Sequence, residues 1–223
     1  MGGFLDGSWR PSGEGRFLNR YDAGRGLAAA LGPKLAELEG KGVVVGLPRG
    51  GLVVGLAVSN DLKLPLDFRA VRKVGHPYQP EFAIGAVDIS GVVVRNPMVE
   101  AIDMPPDVEF ERMVQQALDE ARTMEKELRG DGPSYLKDSD WCLVVDDGAA
   151  TGLTLLAVVK GIKGEGKKAH VGIPVASTQA RSLIAEAADS FCALHVPQYF
   201  MAVSQFYDDF APVTTDEARR CLG

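Results

Sequence analysis

The sequence has few cysteines, few histidines and no long apolar run. Its three cysteines, Cys142, Cys192 and Cys221, show no CxxC spacing and no nearby histidine, which argues against both a disulfide framework and a zinc site. No apolar run approaches the roughly 20 residues that cross a membrane. The N-terminus also lacks the cationic start and apolar core of a signal peptide. These absences predict a cytoplasmic protein with no membrane partner.

Positive charge is also scarce. The net charge is -6 and the sequence pI is about 5.2, so the chain has no excess of cations to neutralise a nucleic-acid backbone. We therefore expect no nucleic-acid partner. With 223 residues, 46% of them hydrophobic, the chain is long enough for a globular domain with a sizeable core.

Short apolar segments alternate with helical patterns along most of the chain. The pattern predicts strands at 43–47, 66–71, 141–145, 169–175 and 191–196, and helices at 22–38, 52–62, 153–163 and 178–188. Such alternation indicates βαβ units, and therefore an α/β fold with a Rossmann-like parallel sheet flanked by helices. In sheets of this kind, ligands bind beyond the carboxyl ends of the strands.

Two regions depart from this alternation. Residues 82–96 contain two short β-like runs around Ser90 and Gly91, and residues 108–128 carry an amphipathic helical stripe. We interpret the stripe as a surface that packs on the core or on a second subunit. The first 20 residues are rich in Gly, Ser and Arg, which is typical of a loose N-terminal arm.

The most informative segment follows the predicted strand at 141–145. Asp146 and Asp147 come directly after this strand, and small residues and hydroxyls separate them from the next helix. Small residues let a ligand approach the main chain, and the amides at a helix N-terminus can donate to a phosphate. The sequence therefore predicts a phosphate site made of Gly148, Ala149, Ala150, Thr151, Gly152 and Thr154.

The two acids cannot bind the phosphate, because they are anions. They are better placed to accept hydrogen bonds from vicinal sugar hydroxyls, with magnesium moderating the charge nearby. An alternative is that Asp146 and Asp147 merely cap a helix. The GxGxxG of a dinucleotide site and the GxxxxGK[ST] of a Walker loop are both absent from this turn.

Two further loops carry cations at predicted strand ends. Arg49, Gly50 and Gly51 follow the first strand, and a guanidinium beside two amides would suit a diphosphate. A purely structural turn is the alternative there. Arg72 and Lys73 follow the next strand, at the edge of the sheet where function concentrates. Ordinary surface charge is the alternative for these two.

Together these segments resemble the type I phosphoribosyltransferases. The two acids, the small residues and Thr151-Gly152-Leu153-Thr154 look like the loop with which that family binds 5-phosphoribosyl-1-pyrophosphate (PRPP). In the family the acids hold the ribose 2′ and 3′ hydroxyls, and the loop after them holds the 5′-phosphate. The resemblance runs from about residue 22 to the C-terminus, and extends to a branch of stand-alone proteins of unassigned acceptor.

The resemblance implies a pentosyl transfer in which a nitrogenous acceptor displaces pyrophosphate from ribose C1, with Mg2+ as cofactor. It implies catalytic roles for Asp147, Arg49 and Lys73, and indirect metal contacts, through ribose or water, for Asp146 and Asp147. The first cationic loop of the family often contains a cis peptide bond. The pyrophosphate would be held by Arg49, Gly50, Gly51, Arg72 and Lys73.

The resemblance also implies a division of the chain. A domain of residues 21–223 would follow the arm at 1–20, and would include a flap insertion at about 74–138 and a small C-terminal hood at about 197–223. The partners would be PRPP and a small-molecule acceptor, in a protein that forms a homodimer.

The acceptor is the least determined partner. Phe200 and Tyr207 of the hood offer rings that could stack on a heterocycle, although packing of the hood on the core is an equal alternative. Enzymes for 6-oxopurines usually carry an acid where this chain has Ala150, so we expect a different nucleobase-like acceptor. Two other functions fit part of the pattern, namely a non-catalytic PRPP or nucleotide-binding regulator and a phosphosugar hydrolase.

Overall fold

The computed structural model describes residues 16–99 and 104–223. The strands are β1 Gly42–Gly46, β2 Leu66–Phe68, β3 Val71–His76, β4 Gln79–Asp88, β5 Val93–Arg95, β6 Trp141–Val145, β7 Lys168–Val175 and β8 Ser190–His195. The helices are α1 Arg20–Leu35, α2 Gly50–Leu62, α3 Asp107–Arg129, α4 Leu153–Gly164, α5 Thr178–Ala187 and α6 Thr215–Leu222. None of these helices has the length and apolar character needed for a membrane crossing.

The strands form two sheets. Five of them make a parallel sheet in the order β2-β1-β6-β7-β8, and three make a separate antiparallel sheet in the order β3-β4-β5. The predicted α/β fold with a parallel sheet is therefore confirmed. The two β-like runs predicted at 82–96 are the paired strands β4 and β5.

The central strands are apolar on both faces because helices cover both sides of the sheet. Val44 of β1 packs in a cluster with Leu27 of α1 and Val54 of α2. Its neighbours Val43 and Val45 point the opposite way, into a cluster formed largely by α4 and the strands beside it. Alternate residues of this short strand thus pack into two separate parts of the core. This packing fixes the position of the carboxyl ends of β1 and of its paired neighbour β6.

The strand predicted at 66–71 is wrong in extent, because it consists of two elements. Strand β2 ends at Phe68, and β3 begins at Val71 in the other sheet. Between them the side chain of Arg69 turns into the interior, where its Nε lies 2.7 Å from Oδ2 of Asp88. This buried ion pair draws the chain away from the parallel sheet, and no local apolar pattern could reveal it.

Two helices differ from the prediction, α1 in where it begins and α6 because it was not predicted. Helix α1 begins at Arg20 and is capped by Asn19, whose side chain accepts a hydrogen bond from the amide of Asp22 at 3.0 Å. Helix α6 was not predicted at all. It begins with a capping box in which Thr214 and Glu217 bond each other's main-chain amides, and this Thr-x-x-Glu spacing was readable in the sequence.

Residues 1–15 of the predicted arm lie outside the described residues. Residue Phe17 is buried, and its amide donates to the carbonyl oxygen of Phe206 at 2.9 Å, so the last part of the predicted arm packs on the domain. The stripe predicted at 108–128 packs on the core through the buried side chains of α3. The flap and hood boundaries remain predictions.

Candidate functional site

A cavity of about 770 Å³ opens beyond the carboxyl ends of β1 and β6 and beside β3. It brings together almost all the residues predicted for the donor site, which come from three loops far apart in the chain. Gly51 lies behind the cavity wall, where a Cβ atom would come 2.9 Å from Oδ1 of Asp146. The predicted residues that line it are Arg49, Gly50, Arg72, Lys73, Asp146, Asp147, Gly148, Ala149, Ala150, Thr151, Gly152 and Thr154.

The two acids each keep one oxygen available. Oδ1 of Asp146 accepts a hydrogen bond from the amide of Asp147 at 2.8 Å, and Oδ2 of Asp147 accepts one from Nε of Arg20 at 2.7 Å. Within the described residues, no donor from another residue reaches Oδ2 of Asp146 or Oδ1 of Asp147. The site therefore presents two adjacent carboxylate oxygens that can accept hydrogen bonds from a pair of hydroxyls.

The protonation of these acids depends on the surrounding cations. Burial raises the pKa of Asp146 well above its ordinary value, and the charge of Asp147 raises it further, while the Asp147 amide and Lys73 oppose the shift. Burial also raises the pKa of Asp147, against the hydrogen bond and charge of Arg20 and the charge of Lys73. Cations at the cavity are therefore needed to keep this pair of carboxylates ionised.

The loop after the acids offers unpaired main-chain amides, but the predicted Ala149 amide is not among them. Gly152 has a φ of 75° and caps α4, a left-handed conformation that glycine adopts readily. Within the described residues, the amides of Ala150, Thr151 and Gly152 donate to no protein acceptor. The amide of Ala149 is not free, because it donates to the carbonyl of Val175 at 2.9 Å.

The first cationic loop lies directly against the acids. A cis peptide bond joins Pro48 to Arg49, as the resemblance implied. At Gly50 a Cβ atom would collide with the carboxylate of Asp147 and lie 2.9 Å from Nε of Arg20. Only glycine lets the start of α2 approach this ion pair so closely.

The second cationic loop comes from the antiparallel sheet. Arg72 and Lys73 lie on β3, and the Nε of Arg72 is 3.8 Å from a carboxylate oxygen of Glu120 on α3. Glu120 and Glu81 also line the cavity, and neither was predicted. The wall opposite the acids therefore carries both cations and anions, which a pattern based on β3 alone could not show.

The hood contributes different residues from those predicted. Tyr207 is 1% exposed, and its hydroxyl donates to the carbonyl of Asp147 at 2.6 Å. Phe200 packs on Phe206, with ring centroids 5.4 Å apart, and is not among the cavity-lining residues. The structure thus does not bring Tyr207 and Phe200 to the cavity, because the Tyr207 ring packs on Phe17 and the Phe200 ring packs on Phe206. Phe210 lines the cavity instead.

Arg20 was missed by the sequence analysis. Besides its bond to Asp147, it donates from Nη1 to the carbonyl of Ala211 at 2.8 Å, and its guanidinium lies 3.7 Å from the ring centroid of Phe210. It is 127 residues from Asp147 in the chain. No local signal marks an arginine at the start of a helix as part of such a cluster.

Comparisons with known proteins identify the family of this chain. The chain matches the model of the family described as "Phosphoribosyl transferase domain" over residues 19–210. It is 35% identical over 208 residues to two proteins from strains of Mycobacterium tuberculosis named "Putative phosphoribosyl transferase". These alignments cover 90% of this chain and 45% of the relatives, so the chain spans about half their length.

A solved structure supports the same assignment. The crystal structure of TT1426 from Thermus thermophilus has a TM-score of 0.76 and 38% identity to this chain, and the match covers 93% of this chain and 97% of the other. The family match runs from the residue before Arg20 to Phe210, and so includes every loop that forms the cavity. The chain belongs to the type I phosphoribosyltransferase family.

Proposed function

We propose that this protein transfers the 5-phosphoribosyl group of PRPP to a nitrogenous acceptor and releases pyrophosphate. The proposal rests chiefly on one observation, the two unoccupied carboxylate oxygens of Asp146 and Asp147 beside the unpaired amides of residues 150–152. A ribose 5-phosphate carries vicinal hydroxyls and a phosphate, which are the complementary groups.

The remaining charges suit the diphosphate of the same donor. Arg49 and the amide of Gly50 stand at the start of α2, and Lys73 lies across the cavity on β3. The hydroxyls of Thr151 and Thr154 add donors next to the amides that would hold the 5′-phosphate. In this arrangement the reactive C1 carbon would lie between two groups of residues. Asp146 and Asp147 would hold the sugar, and Arg49 and Lys73 would hold the leaving group.

The proposed chemistry is a displacement at ribose C1. The bond from C1 to a pyrophosphate oxygen breaks, a bond from C1 to the acceptor nitrogen forms, and the proton on that nitrogen leaves to solvent. The transition state places positive charge on the ribosyl group and negative charge on the pyrophosphate. Arg49 and Lys73 would stabilise the leaving group, and the ionised Asp147 would stabilise the ribosyl charge, by fixed electrostatics.

Magnesium fits this site as a metal shared with the substrate. The described part of the chain holds no group of three or more metal-binding side chains. Mg2+ characteristically keeps several waters and binds through substrate phosphates. Asp146 and Asp147 would contact the ion indirectly, through the ribose or water. When bound, the ion would neutralise charge on the diphosphate.

The acceptor that we propose is a nucleobase-like heterocycle other than a 6-oxopurine. The exposed Ala150 brings no charged side chain to the cavity, whereas 6-oxopurine enzymes usually carry an acid there. Phe210 and Val203 give this part of the cavity an apolar surface. A cytoplasmic homodimer, as expected from the sequence and the resemblance, remains part of this proposal.

Calorimetric titration with PRPP, with and without Mg2+, tests the donor half. We expect binding that Mg2+ strengthens and that the double variant Asp146→Asn, Asp147→Asn weakens by about two orders of magnitude, since two charged acceptors are lost. The control is the double variant Glu37→Gln, Glu39→Gln, which removes two exposed acids elsewhere. Absence of binding, or equal binding by the acidic-loop variant and the wild type, would contradict the proposal.

The transfer itself is tested by incubation with PRPP and a panel of bases, with release of pyrophosphate as the signal. Release that depends on one acceptor supports the proposed enzyme. Tight PRPP binding without release for any base would favour the regulator instead, because a regulator needs the donor site but no transfer.

A further inference from the structure

We propose that Arg20 is a positioning residue for the donor, which holds the carboxylate of Asp147 so that one oxygen stays available to the ribose hydroxyls. This assignment rests on the proposed function. It concerns a residue of α1 that belongs to none of the loops predicted to bind PRPP.

Three contacts fix the guanidinium of Arg20. Its Nε donates to Oδ2 of Asp147 at 2.7 Å, and its Nη1 donates to the carbonyl of Ala211 at 2.8 Å. Its Cζ lies over the ring of Phe210, 3.7 Å from the ring centroid. The side chain is 10% exposed. A guanidinium held by the main chain and an aromatic ring has little freedom to move, so it imposes its geometry on the carboxylate.

The geometry leaves Asp147 half satisfied. Arg20 takes Oδ2, while the hydroxyl of Tyr207 binds the main-chain carbonyl of Asp147 rather than its side chain. The carboxylate is therefore fixed on one side and open on the other. Without Arg20 the carboxyl group could rotate, and its free oxygen would no longer be held toward the cavity.

Arg20 is the cation that bonds the Asp147 carboxylate directly, and no other side chain of the described residues donates to this carboxylate. Lys73 of β3 lines the same cavity, but within the described residues it forms no ion pair with Asp147. The position of the carboxylate therefore depends on Arg20 more than on the other cations of the cavity.

The test separates the two halves of the donor with two ligands, ribose 5-phosphate and inorganic pyrophosphate, titrated by calorimetry with Mg2+. In Arg20→Gln we expect the affinity for ribose 5-phosphate to fall about tenfold or more, as for the loss of a bond to a charged group. Pyrophosphate affinity should change less than about twofold, since it has no hydroxyl for Asp147.

Two further variants keep the test specific. Arg20→Lys retains the charge and a donor and should recover part of the loss. Arg25→Gln removes an arginine of the same helix, paired with Asp61 at 3.5 Å and mostly exposed, and should bind both ligands as the wild type does. If Arg20→Gln does not fold, Phe210→Leu carries the test, because it removes the ring that packs on the guanidinium, and a smaller loss is expected for ribose 5-phosphate only.

The outcomes distinguish this assignment from the proposed function. Equal losses for both ligands, no recovery in Arg20→Lys, or no loss would overturn the role of Arg20 while wild-type binding of PRPP stands. Failure of the wild type to bind PRPP and ribose 5-phosphate would contradict the proposed function, and the role of Arg20 with it.

Discussion

Two arginine–aspartate pairs in this protein have the same length and opposite surroundings. Arg69 and Asp88 lie 2.7 Å apart with side chains 3% and 0% exposed, and Arg20 and Asp147 lie 2.7 Å apart beside the cavity. Around the first pair, the second oxygen of Asp88 accepts three hydrogen bonds, two from Ser90 and one from the amide of Val92. Around the second pair, the corresponding oxygen of Asp147 has no donor from another described residue.

The difference shows how to distinguish an ion pair that maintains a fold from one that prepares a site. Arg69 also bonds Glu165 at 2.7 Å, so that the pair joins the start of β3, the end of β4 and the end of α4. Both carboxylate oxygens of Asp88 accept hydrogen bonds, as buried acceptors require, while Nη2 of Arg69 has no partner within the described residues. The pair at the cavity leaves one acceptor for a ligand, and this costs stability in the unliganded protein.

The largest expected effect comes from breaking the buried pair of Arg69 and Asp88. Asp88→Ala should lower the free energy of unfolding by about 3–5 kcal/mol, because it leaves the buried Arg69 without one of its two counter-charges, Asp88 and Glu165. Chemical denaturation measures this. The matched control is Asp119→Ala, which breaks the exposed pair with Arg122 at 2.9 Å and should cost less than about 1 kcal/mol. Equal losses for the two variants would contradict the comparison.

A smaller effect is expected from crowding the cavity pair. In Gly50→Ala the added methyl group would meet the Asp147 carboxylate and lie near Nε of Arg20, so the pair must separate. We expect PRPP binding to weaken by about 1–3 kcal/mol, the usual range for overpacking a fitted site. Gly164→Ala, whose Cβ would meet no atom within 4 Å, should bind PRPP normally. Unchanged binding by Gly50→Ala would show that the close approach is irrelevant to the donor.

The smallest effect concerns stability and pH. Because the folded pKa of Asp146 is raised, the folded state holds its proton more tightly than the unfolded chain. The stability contributed by this group is therefore lost as the pH rises from about 4 through the folded pKa. Asp146→Asn should remove that loss and raise the free energy of unfolding at pH 7 by on the order of 1 kcal/mol.

Denaturation at several pH values measures this gain. It should vanish near pH 4, where the wild-type acid is also neutral, while PRPP binding is weakened at pH 7. A variant less stable than the wild type at pH 7 would show that the Asp146 charge is compensated in the folded state.

Local patterns sufficed for much of the fold and for the acidic loop. The strands β1, β6, β7 and β8 are short apolar runs, and Asp146 follows one of them directly, so each is determined by neighbours in the chain. The break between β2 and β3 was not predictable in this way, because it depends on Asp88, 19 residues from Arg69.

The rest of the site depends on long-range contacts. Arg20 reaches Asp147 across 127 residues, and Tyr207 reaches it across 60. The sequence indicated aromatic residues in the hood, but which ring faces the cavity depends on packing against Phe17 and Phe206. The amide of Ala149 is likewise bound, because it donates to the carbonyl of Val175 at the end of β7. This contact lies 26 residues away and has no local signal in the sequence.

The contact between Phe17 and the hood has a practical consequence for shortened or fused forms of the domain. Phe17 accepts a bond from the amide of Asp208 and donates to Phe206, and its ring centroid lies 5.3 Å from that of Tyr207. The hydroxyl of Tyr207 in turn bonds the carbonyl of Asp147, so the two ends of the described domain meet next to the acidic loop. When the domain is excised from a longer relative, a cut that removes Phe17 or the segment around Tyr207 would leave the acidic loop without this support, even though all three cavity-lining loops are retained.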